Sequence, residues 1–507
     1  MSSLAFDPSA LAPLGFVAIG AMLALLLEVL LSRRVFVGDG VEPQARAAAR
    51  ARIGVILAFA STAALVLAMY AAGYLFGAGL QTSFGGETPM LQLDALSSFA
   101  IGLVGLGSLL CVWLSITYLP ALRINHGEYY ALLLLSTAGM FVLVSAVDLI
   151  PLFLGLELTS LPLYALVGFN RRKLRSNESA LKYFLMGAFS SAILLYGMAL
   201  LYGATGHTDF TGISQGFEGG GGLALAGLAL MVAGLAFKVS VVPFHQWTPD
   251  VYEGAPTSVT AFMAVTVKTA GFIVLLRFLV VALPEMFERL SVLLSVLAGL
   301  TMLVGNVMAV IQENVKRMLA YSAVSHAGYL LVGVATGTPE AWTAVLFYLF
   351  VYLFMTVGVF CVVIALAQGG REWDSIEDFA GLASRRPALA AVMSLFLLSL
   401  AGIPGTAGFM AKFYLVVAAV GADQIALVLI LVVSSLISVF YYLRLPVVMY
   451  MKQRRHDPQA ETSSSEIVVL ALCAAAVLYF ALFPQSDPFG TGLRALDLAG
   501  RAADFLN

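Results

Sequence analysis

The sequence has little charge. Charged residues make up 11% of its 507 positions and hydrophobic residues 61%, whereas soluble domains are about 25% charged. The mean hydropathy is +0.95. No polar stretch is long enough to form a separate soluble domain, which excludes a soluble multidomain protein. We therefore predict an all-α polytopic membrane protein.

Cysteine is also scarce. Cys111, Cys361 and Cys473 lie far apart, each inside an apolar segment. This spacing fits neither a metal site nor a disulfide framework and favours buried packing. A glycine-rich phosphate loop and a dinucleotide-binding fingerprint are missing too.

Apolar runs long enough to cross a bilayer occur about fourteen times. The single membrane domain, 1–507, divides into N-terminal helices 1–3 (1–120), two five-helix blocks and helix 14. The fourteen predicted helices lie near 11–31, 53–75, 95–119, 129–147, 149–168, 180–204, 223–243, 257–282, 290–311, 317–336, 340–366, 388–421, 424–449 and 466–484. The blocks are helices 4–8 (128–282) and 9–13 (290–449).

Lysine and arginine collect on one side of this arrangement. With the N-terminus outside, the inner loops hold eighteen basic residues and the outer segments three. Because cytoplasmic loops are enriched in Lys and Arg, we predict a multi-pass protein of the bacterial inner membrane with both termini in the periplasm.

Five ionisable residues lie deep within predicted spans: Glu157, Lys238, Lys268, His326 and Lys412. An ionised group in hydrocarbon is costly, so such groups pair, neutralise or line a wet cavity. One such lysine is consistent with a fixed ion pair between helices, but five groups in five helices favour a proton route. For Arg277, five residues from a helix end, we expect the side chain to reach the interface.

Helix breaks occur beside two of these lysines. Pro243 follows Lys238, and Gly402, Pro404 and Gly405 precede Lys412. Proline removes a backbone donor and glycine relaxes the chain, so helices 7 and 12 are predicted to be broken. Each is the fourth member of its block and the two run in opposite directions, which predicts an inverted repeat.

Several segments resemble the antiporter-like, proton-translocating membrane subunits of bacterial NADH–quinone oxidoreductase (complex I), the N type in particular. They are FKVSVVPFHQWTPDVYEGAPTSVTAFMAVTVKTAGFIVLLR (237–277), LGLELTSLPLYALVGF (154–169), SALKYFLMGAFSSA (179–192), RMLAYSAVSHAGY (317–329) and SLAGIPGTAGFMAKFYL (399–415). The resemblance covers about residues 90 to 450.

The resemblance implies a translocase subunit without a redox centre of its own. FMN, iron–sulfur clusters and quinone would bind partner subunits of the membrane-bound complex, and this chain would bind no metal or nucleic acid. The proton path would be Glu157, Lys238, Lys268 and Lys412. Lys182, His245 and His326 would be secondary members that feed or link the path.

Our hypothesis for the mechanism is a set of lysines whose protonation changes. Desolvation disfavours a charged amine, whereas a nearby carboxylate favours it. Glu157 would hold Lys238 protonated; when this pair loosens, the proton would pass to Lys268 and then to Lys412. We expect the positive end of the half-helix that starts near residue 407 to face Lys412.

Other assignments stay open at this point. A subunit of an Mrp-type Na⁺/H⁺ antiporter or of a membrane-bound hydrogenase would share the fold and the buried lysines. A relative of complex I fed by ferredoxin is a further alternative. A structural membrane subunit that does not pump is an alternative of a different class.

Overall fold

A computed structural model describes residues 8–36, 43–85, 88–217, 221–367, 370–453, 462–485 and 494–506. These residues are mainly helical, as predicted. Its first part consists of α1 (Ala12–Phe36), α2 (Pro43–Ala78), β1 (Thr82–Phe84), β2 (Leu91–Leu93), α3 (Ala95–Ala121), α4 (Glu128–Ser145), α5 (Leu149–Val167), α6 (Leu174–Thr205), α7 (Phe210–Gly216), α8 (Gly222–Lys238) and α9 (Trp247–Gly254).

The second part begins with a long helix that changes its winding. Two π-helical turns, Met263–Val267 and Phe278–Ala282, flank α11 within it. The helices are α10 (Thr257–Phe262), α11 (Lys268–Arg277), α12 (Phe287–Val310), α13 (Val315–Thr336), α14 (Pro339–Ala365), α15 (Leu382–Arg385), α16 (Pro387–Ala401), α17 (Ala407–Gly421), α18 (Ile425–Met451), α19 (Ser464–Leu482) and α20 (Ala495–Ala503).

Twelve of the described helices, counting α10 to the second π-turn as one, are long and apolar enough to cross a membrane. Two further crossings are interrupted. One consists of α8 and the turn at 239–246, and the other of α16 and α17 with a break at 402–406. Within the described residues this gives the predicted fourteen, with the breaks at helices 7 and 12. The inverted repeat itself stays a prediction.

Most predicted boundaries are correct to within a few residues. The largest differences are at α2, which begins at Pro43 rather than near 53, and at α6, which begins at Leu174 rather than near 180. Charged residues occupy both early turns, so a search for apolar runs starts too late. The short antiparallel hairpin β1–β2 and the terminal helix α20 were not predicted.

The centre of the bundle is α13 together with α14. In their most apolar windows, 100% and 94% of the residues are buried, compared with 22% for the first span. α13 packs against α12, α9, α14 and α17. The second interrupted crossing therefore contacts, through α17, a helix that is surrounded by protein rather than by lipid, whereas α8 of the first packs against α6 and α11.

The ends of the bundle differ in charge. We call the end with Arg123, Lys173, Lys316, Arg371 and Lys452 the basic face. Ion pairs and hydrogen bonds bring its loops together: Lys173 and Lys316 both contact Glu372, and Lys452 contacts Glu377. The hairpin, α7 and the start of α3 lie at the opposite face.

Candidate functional site: a row of buried lysines

Lys238 is the last residue of α8, where the helix stops. The side chain is 6% exposed, and its Nζ donates a hydrogen bond to Ser160 Oγ on α5 at 2.7 Å. Ser240, two residues later, has a positive φ of 64°, and Pro243 lies within the turn that follows. The break thus leaves Lys238 facing α5 inside the bundle.

Glu157 lies one turn before Ser160 on α5. Its carboxylate accepts a hydrogen bond from the Ser191 hydroxyl of α6. A cavity of about 10 Å³ nearby is lined by Ser160, Ser191 and Lys238 among others, but not by Glu157 itself. This volume is about that of one water molecule. Glu157 and Lys238 are not in direct contact: each binds a serine hydroxyl, and both serines line this cavity.

Lys268 begins α11 directly after the first π-helical turn, and it is 3% exposed. Its Nζ donates to the carbonyl oxygen of Ala323 on α13 and lies 5.8 Å from the centre of the Tyr352 ring. Single π-turns in long helices are frequent at functional sites. Here the turn resets the direction of the side chains that follow it, so Lys268 faces the central helix.

His326 is at the middle of α13 and is 1% exposed. Its Nδ1 lies 2.7 Å from the Tyr348 hydroxyl and its Nε2 3.1 Å from the Tyr442 hydroxyl; the tautomer decides which group donates. The imidazole is 5.0 Å from the Tyr352 ring, the same ring that Lys268 approaches. It is 5.5 Å from the ring of Tyr329.

Lys412 is on α17, after the second break, and is 6% exposed. Its Nζ donates to the Ala401 carbonyl at 2.9 Å and to Ser435 Oγ at 2.8 Å. It lies 4.6 Å from the centre of the Tyr329 ring. Ala401 is the last residue of α16, so its carbonyl belongs to a negative helix end; this partner was not predicted, and the expectation that the positive end of α17 faces Lys412 stays a prediction.

Gly402 has a structural reason to be glycine. Its φ is +83°, in the left-handed region. A Cβ there would come 2.9 Å from Cδ of Lys412. The predicted break at Gly402, Pro404 and Gly405 therefore ends α16 and makes room for the lysine side chain at its carbonyl end.

The two secondary residues near the first break lie in different surroundings. Lys182 on α6 is 42% exposed and forms ion pairs with Glu178 and Asp250, both at 2.8 Å. His245, in the turn after α8, is partly buried, and its Nδ1 has no hydrogen-bond partner among the described residues. Lys182 is thus outside the row of deeply buried lysines.

Lys182 belongs to a charged rim on the basic face. Arg317 contacts Asp250 at 2.7 Å and Glu253 at 2.9 Å. Partial burial raises the pKa of Asp250, but hydrogen bonds from Lys182 and Arg317 outweigh this and lower its pKa below the ordinary value. The rim encloses a cavity of about 210 Å³ between α6, α9 and α13.

A buried junction that no sequence pattern predicts lies on the same face. Glu372, with a side chain 4% exposed, accepts from Lys173 Nζ at 2.7 Å and lies 3.4 Å from Lys316 Nζ. Tyr118 and Thr257 also donate to it. Burial raises the pKa of Glu372, but the charges of Lys316 and Lys173 hold it well below its ordinary range.

Lys316, at the start of α13, and Glu372 lie in polar stretches between apolar runs, where surface positions are the usual outcome, so nothing in the sequence pattern marks them as buried. The expectation that Arg277 reaches the interface is wrong, because its buried partner could not be recognised from the sequence. The side chain is 1% exposed and pairs with the buried Asp94 at 2.8 Å instead of reaching the interface. Asp94 also caps α3.

The hydroxyl partners of the lysines were not predicted either. Ser160, Ser435 and the tyrosines around His326 are common residue types in membrane helices, and no spacing separates them from packing residues. For metal binding, no group of three His, Cys, Asp or Glu side chains is close enough in the described part of the chain.

Comparisons with known proteins bear on this geometry. A family described as NADH:quinone oxidoreductase/Mrp antiporter, TM matches residues 146–438, which include every residue of the predicted path. NADH-quinone oxidoreductase subunit N 1 of Sorangium cellulosum is 48% identical over 436 residues, 82% of this chain and 85% of that protein.

Solved structures show the same fold. A chain of respiratory complex I from Thermus thermophilus with bound aureothin is 32% identical, with a TM-score of 0.78 over 96% of this chain and 99% of that one. A chain of the Mrp complex from Dietzia sp. DQ12-45-1b has a TM-score of 0.83 over 99% and 98% of the chains at 23% identity, which shows the fold alone. The chain therefore belongs to the NADH:quinone oxidoreductase/Mrp antiporter family and, within it, to the NADH-quinone oxidoreductase subunit N proteins.

Proposed function

We propose that this chain is a proton-translocating membrane-arm subunit of bacterial NADH:quinone oxidoreductase. The observation that carries the proposal is the set of three buried lysines, each bound to uncharged oxygen atoms, of which Lys268 and Lys412 lie against the central helix α13. The similarity to subunit N proteins supports this assignment over the Mrp-type antiporter and the membrane-bound hydrogenase.

The route would begin between Glu157 and Lys238. The water-sized cavity beside Ser160 and Ser191 supports proton exchange between carboxylate and amine. A serine hydroxyl can donate or accept, so Ser160 can bind Lys238 both as an ammonium and as a neutral amine. The loss of a proton would therefore not leave a buried group without a partner.

The route would continue through Lys268 and His326 to Lys412. His326 shares the Tyr352 ring with Lys268 and the neighbourhood of the Tyr329 ring with Lys412. An imidazole can accept a proton at one nitrogen and release one from the other. His245, whose Nδ1 is buried and unpaired within the described residues, is a proposed link near the first break.

Lys182 would act at the start of the route. It stands beside Asp250 at the charged cavity on the basic face, which supports a role in collecting protons from that side. We propose that the basic face is cytoplasmic and that both termini are periplasmic, following the distribution of lysine and arginine.

The free energy of one hydrogen bond to a buried lysine is comparable with the work of moving a proton against the membrane potential. Moving one charge against 100 mV costs about 2.3 kcal/mol. A hydrogen bond to a charged group contributes about 1.5–3 kcal/mol. Making or losing one such bond at a lysine is therefore enough to change which site holds the proton.

The rest of the assignment follows the family. FMN, iron–sulfur clusters and quinone would be held by partner subunits, and this chain would supply the ion path within the hetero-oligomer. The two blocks, 128–282 and 290–449, would be inverted repeats that each contribute a broken helix and its lysine.

The test is Lys268→Ala in the assembled complex in membrane vesicles. We expect the complex to assemble and to move fewer protons per NADH oxidised. Exposed Lys452→Ala on the basic face is the control and should pump normally. Normal pumping by assembled Lys268→Ala and Glu157→Gln variants would instead support a structural subunit that does not pump.

A further inference from the structure

A second polar cavity lies on the basic face, away from the lysine row. It has a volume of about 490 Å³, within the 300–1,000 Å³ range of ligand sites. Five basic side chains line it: Arg123, Arg172, Lys173, Arg175 and Arg371. Only two carboxylates, Glu372 and Asp374, are among the other lining groups, so the cavity carries an excess of positive charge.

Two of the five cations are already paired. Lys173 binds Glu372, and Arg175 binds Glu253 at 2.9 Å. Among the described residues, Arg123 and Arg172 have no ion pair or hydrogen bond from their side chains, and Arg371 contacts the Trp373 ring at 4.4 Å. Three guanidinium groups thus line one cavity with donors available for an anion.

The backbone at Arg123 supports a role for its side chain. Its φ is 59°, a left-handed conformation that an L-residue adopts at a cost and that glycine adopts freely. Hydrogen bonds from Arg123 N to Pro120 O and from Ile124 N to Leu119 O hold the turn, both at 3.0 Å. Arginine therefore stands where the backbone alone favours glycine.

The cavity is at the ends of membrane spans. Arg123 follows α3, and Arg172 and Lys173 precede α6. From this end an apolar stripe runs along α6: Leu174, Leu181 and Leu185 are 81%, 58% and 58% exposed. Residues at i, i+7 and i+11 share one helix face, so an exposed track for hydrocarbon starts next to the basic cavity.

We propose that this cavity binds the phosphate of an anionic phospholipid, with an acyl chain along the Leu174–Leu181–Leu185 stripe of α6. Basic pockets between membrane helices on the cytoplasmic side suit such headgroups, and planar guanidinium groups bind phosphate through paired hydrogen bonds. A concave basic site joined to an apolar track fits an amphiphile better than an acidic protein segment. The site is independent of the proposed proton route.

The experiment uses the whole complex, purified and placed in nanodiscs of phosphatidylcholine with increasing phosphatidylglycerol. Native mass spectrometry counts the phosphatidylglycerol molecules retained by the unchanged complex and by the triple variant Arg123→Gly, Arg172→Gln, Arg371→Gln. Glycine at 123 removes the guanidinium and suits the backbone. Lys452→Gln, on the same face but outside the cavity, is the matched control.

We expect the triple variant to retain at least one phosphatidylglycerol fewer, with binding weakened about fivefold per arginine removed. The control should match the unchanged complex. If the triple variant does not assemble, the single variant Arg172→Gln, at an exposed side chain, replaces it. The number of retained phosphatidylglycerol molecules is then compared in the same way.

Three results would overturn the proposal. One is an equal phosphatidylglycerol count in the variant and the unchanged complex. Another is equally tight binding of inorganic phosphate or glycerol phosphate, which would identify a site for free phosphate. The third is the loss of a partner subunit with an unchanged lipid count, which would identify a protein contact.

Discussion

Basic groups in the middle of the bundle and those at its two faces bind different partners. Lys238, Lys268 and Lys412 bind serine hydroxyls and backbone carbonyls, and none has a carboxylate within ion-pair distance among the described residues. At the faces, Lys316 contacts Glu372 and Arg277 contacts Asp94. All five basic side chains are nearly inaccessible to solvent.

The basic groups in the middle and those at the faces differ in whether their protonation state can change. A buried cation with a carboxylate partner is fixed, because removing either charge leaves the other uncompensated. A lysine among neutral oxygens keeps a partner in both protonation states when that partner is a hydroxyl. Burial alone therefore does not identify a proton carrier; the partner does.

The largest expected effect comes from breaking a fixed pair. Glu372→Gln leaves Lys316 as an uncompensated charge with no exposure to solvent, which should cost about 3–5 kcal/mol of stability. We expect a marked loss of assembled complex, measured by blue native electrophoresis and thermal denaturation. Adding Lys316→Met should recover part of the loss; no recovery would show that the two charges are not coupled.

A smaller effect is expected when a neutral partner is removed from the middle. Ser160→Ala deletes the hydroxyl that binds Lys238, an interaction of about 1.5–3 kcal/mol for a charged donor. Assembly should be normal, and pumping should fall roughly tenfold. Ser160→Thr restores a hydroxyl and should restore pumping; equal pumping by all three proteins would show that this bond has no role.

The smallest effect is expected at the charged rim. Asp250→Asn removes the partner of Lys182 and Arg317 at partly exposed positions, where an ion pair contributes about 0–1 kcal/mol. Because the pKa of Asp250 is lowered in the folded protein, its stabilisation is present at neutral pH and is lost as the pH falls through that lowered value. The stability difference between the two proteins should therefore disappear in acid and persist from pH 6 to 8.

The fold could largely be predicted from the sequence because apolar runs and the distribution of charge report directly on membrane spans. The breaks at Pro243 and Gly402 were also predictable, since proline and glycine act locally on the backbone. The partners could not be predicted. Whether Arg277 reaches the interface or pairs with Asp94 depends on how α3 packs against α11. The two residues are 183 positions apart in the sequence.

In the candidate site, too, the ionisable residues were predictable from the sequence but their partners were not. Glu157 and the three lysines stand out because ionisable residues are rare in apolar runs, whereas Ser160 and Ser435 do not. The backbone partner of Lys412 was missed for the same reason. The sequence locates the break, but only the structure shows that the lysine side chain turns back to the carbonyl end of α16 rather than along α17.

The central claim is that these lysines carry protons by gaining and losing them. The most direct test is the number of protons moved per NADH oxidised by an assembled Lys238→Arg complex. Arginine keeps the positive charge and cannot be deprotonated. We predict normal assembly with fewer protons moved; an unchanged number would show that a fixed charge suffices at this position and would contradict the account.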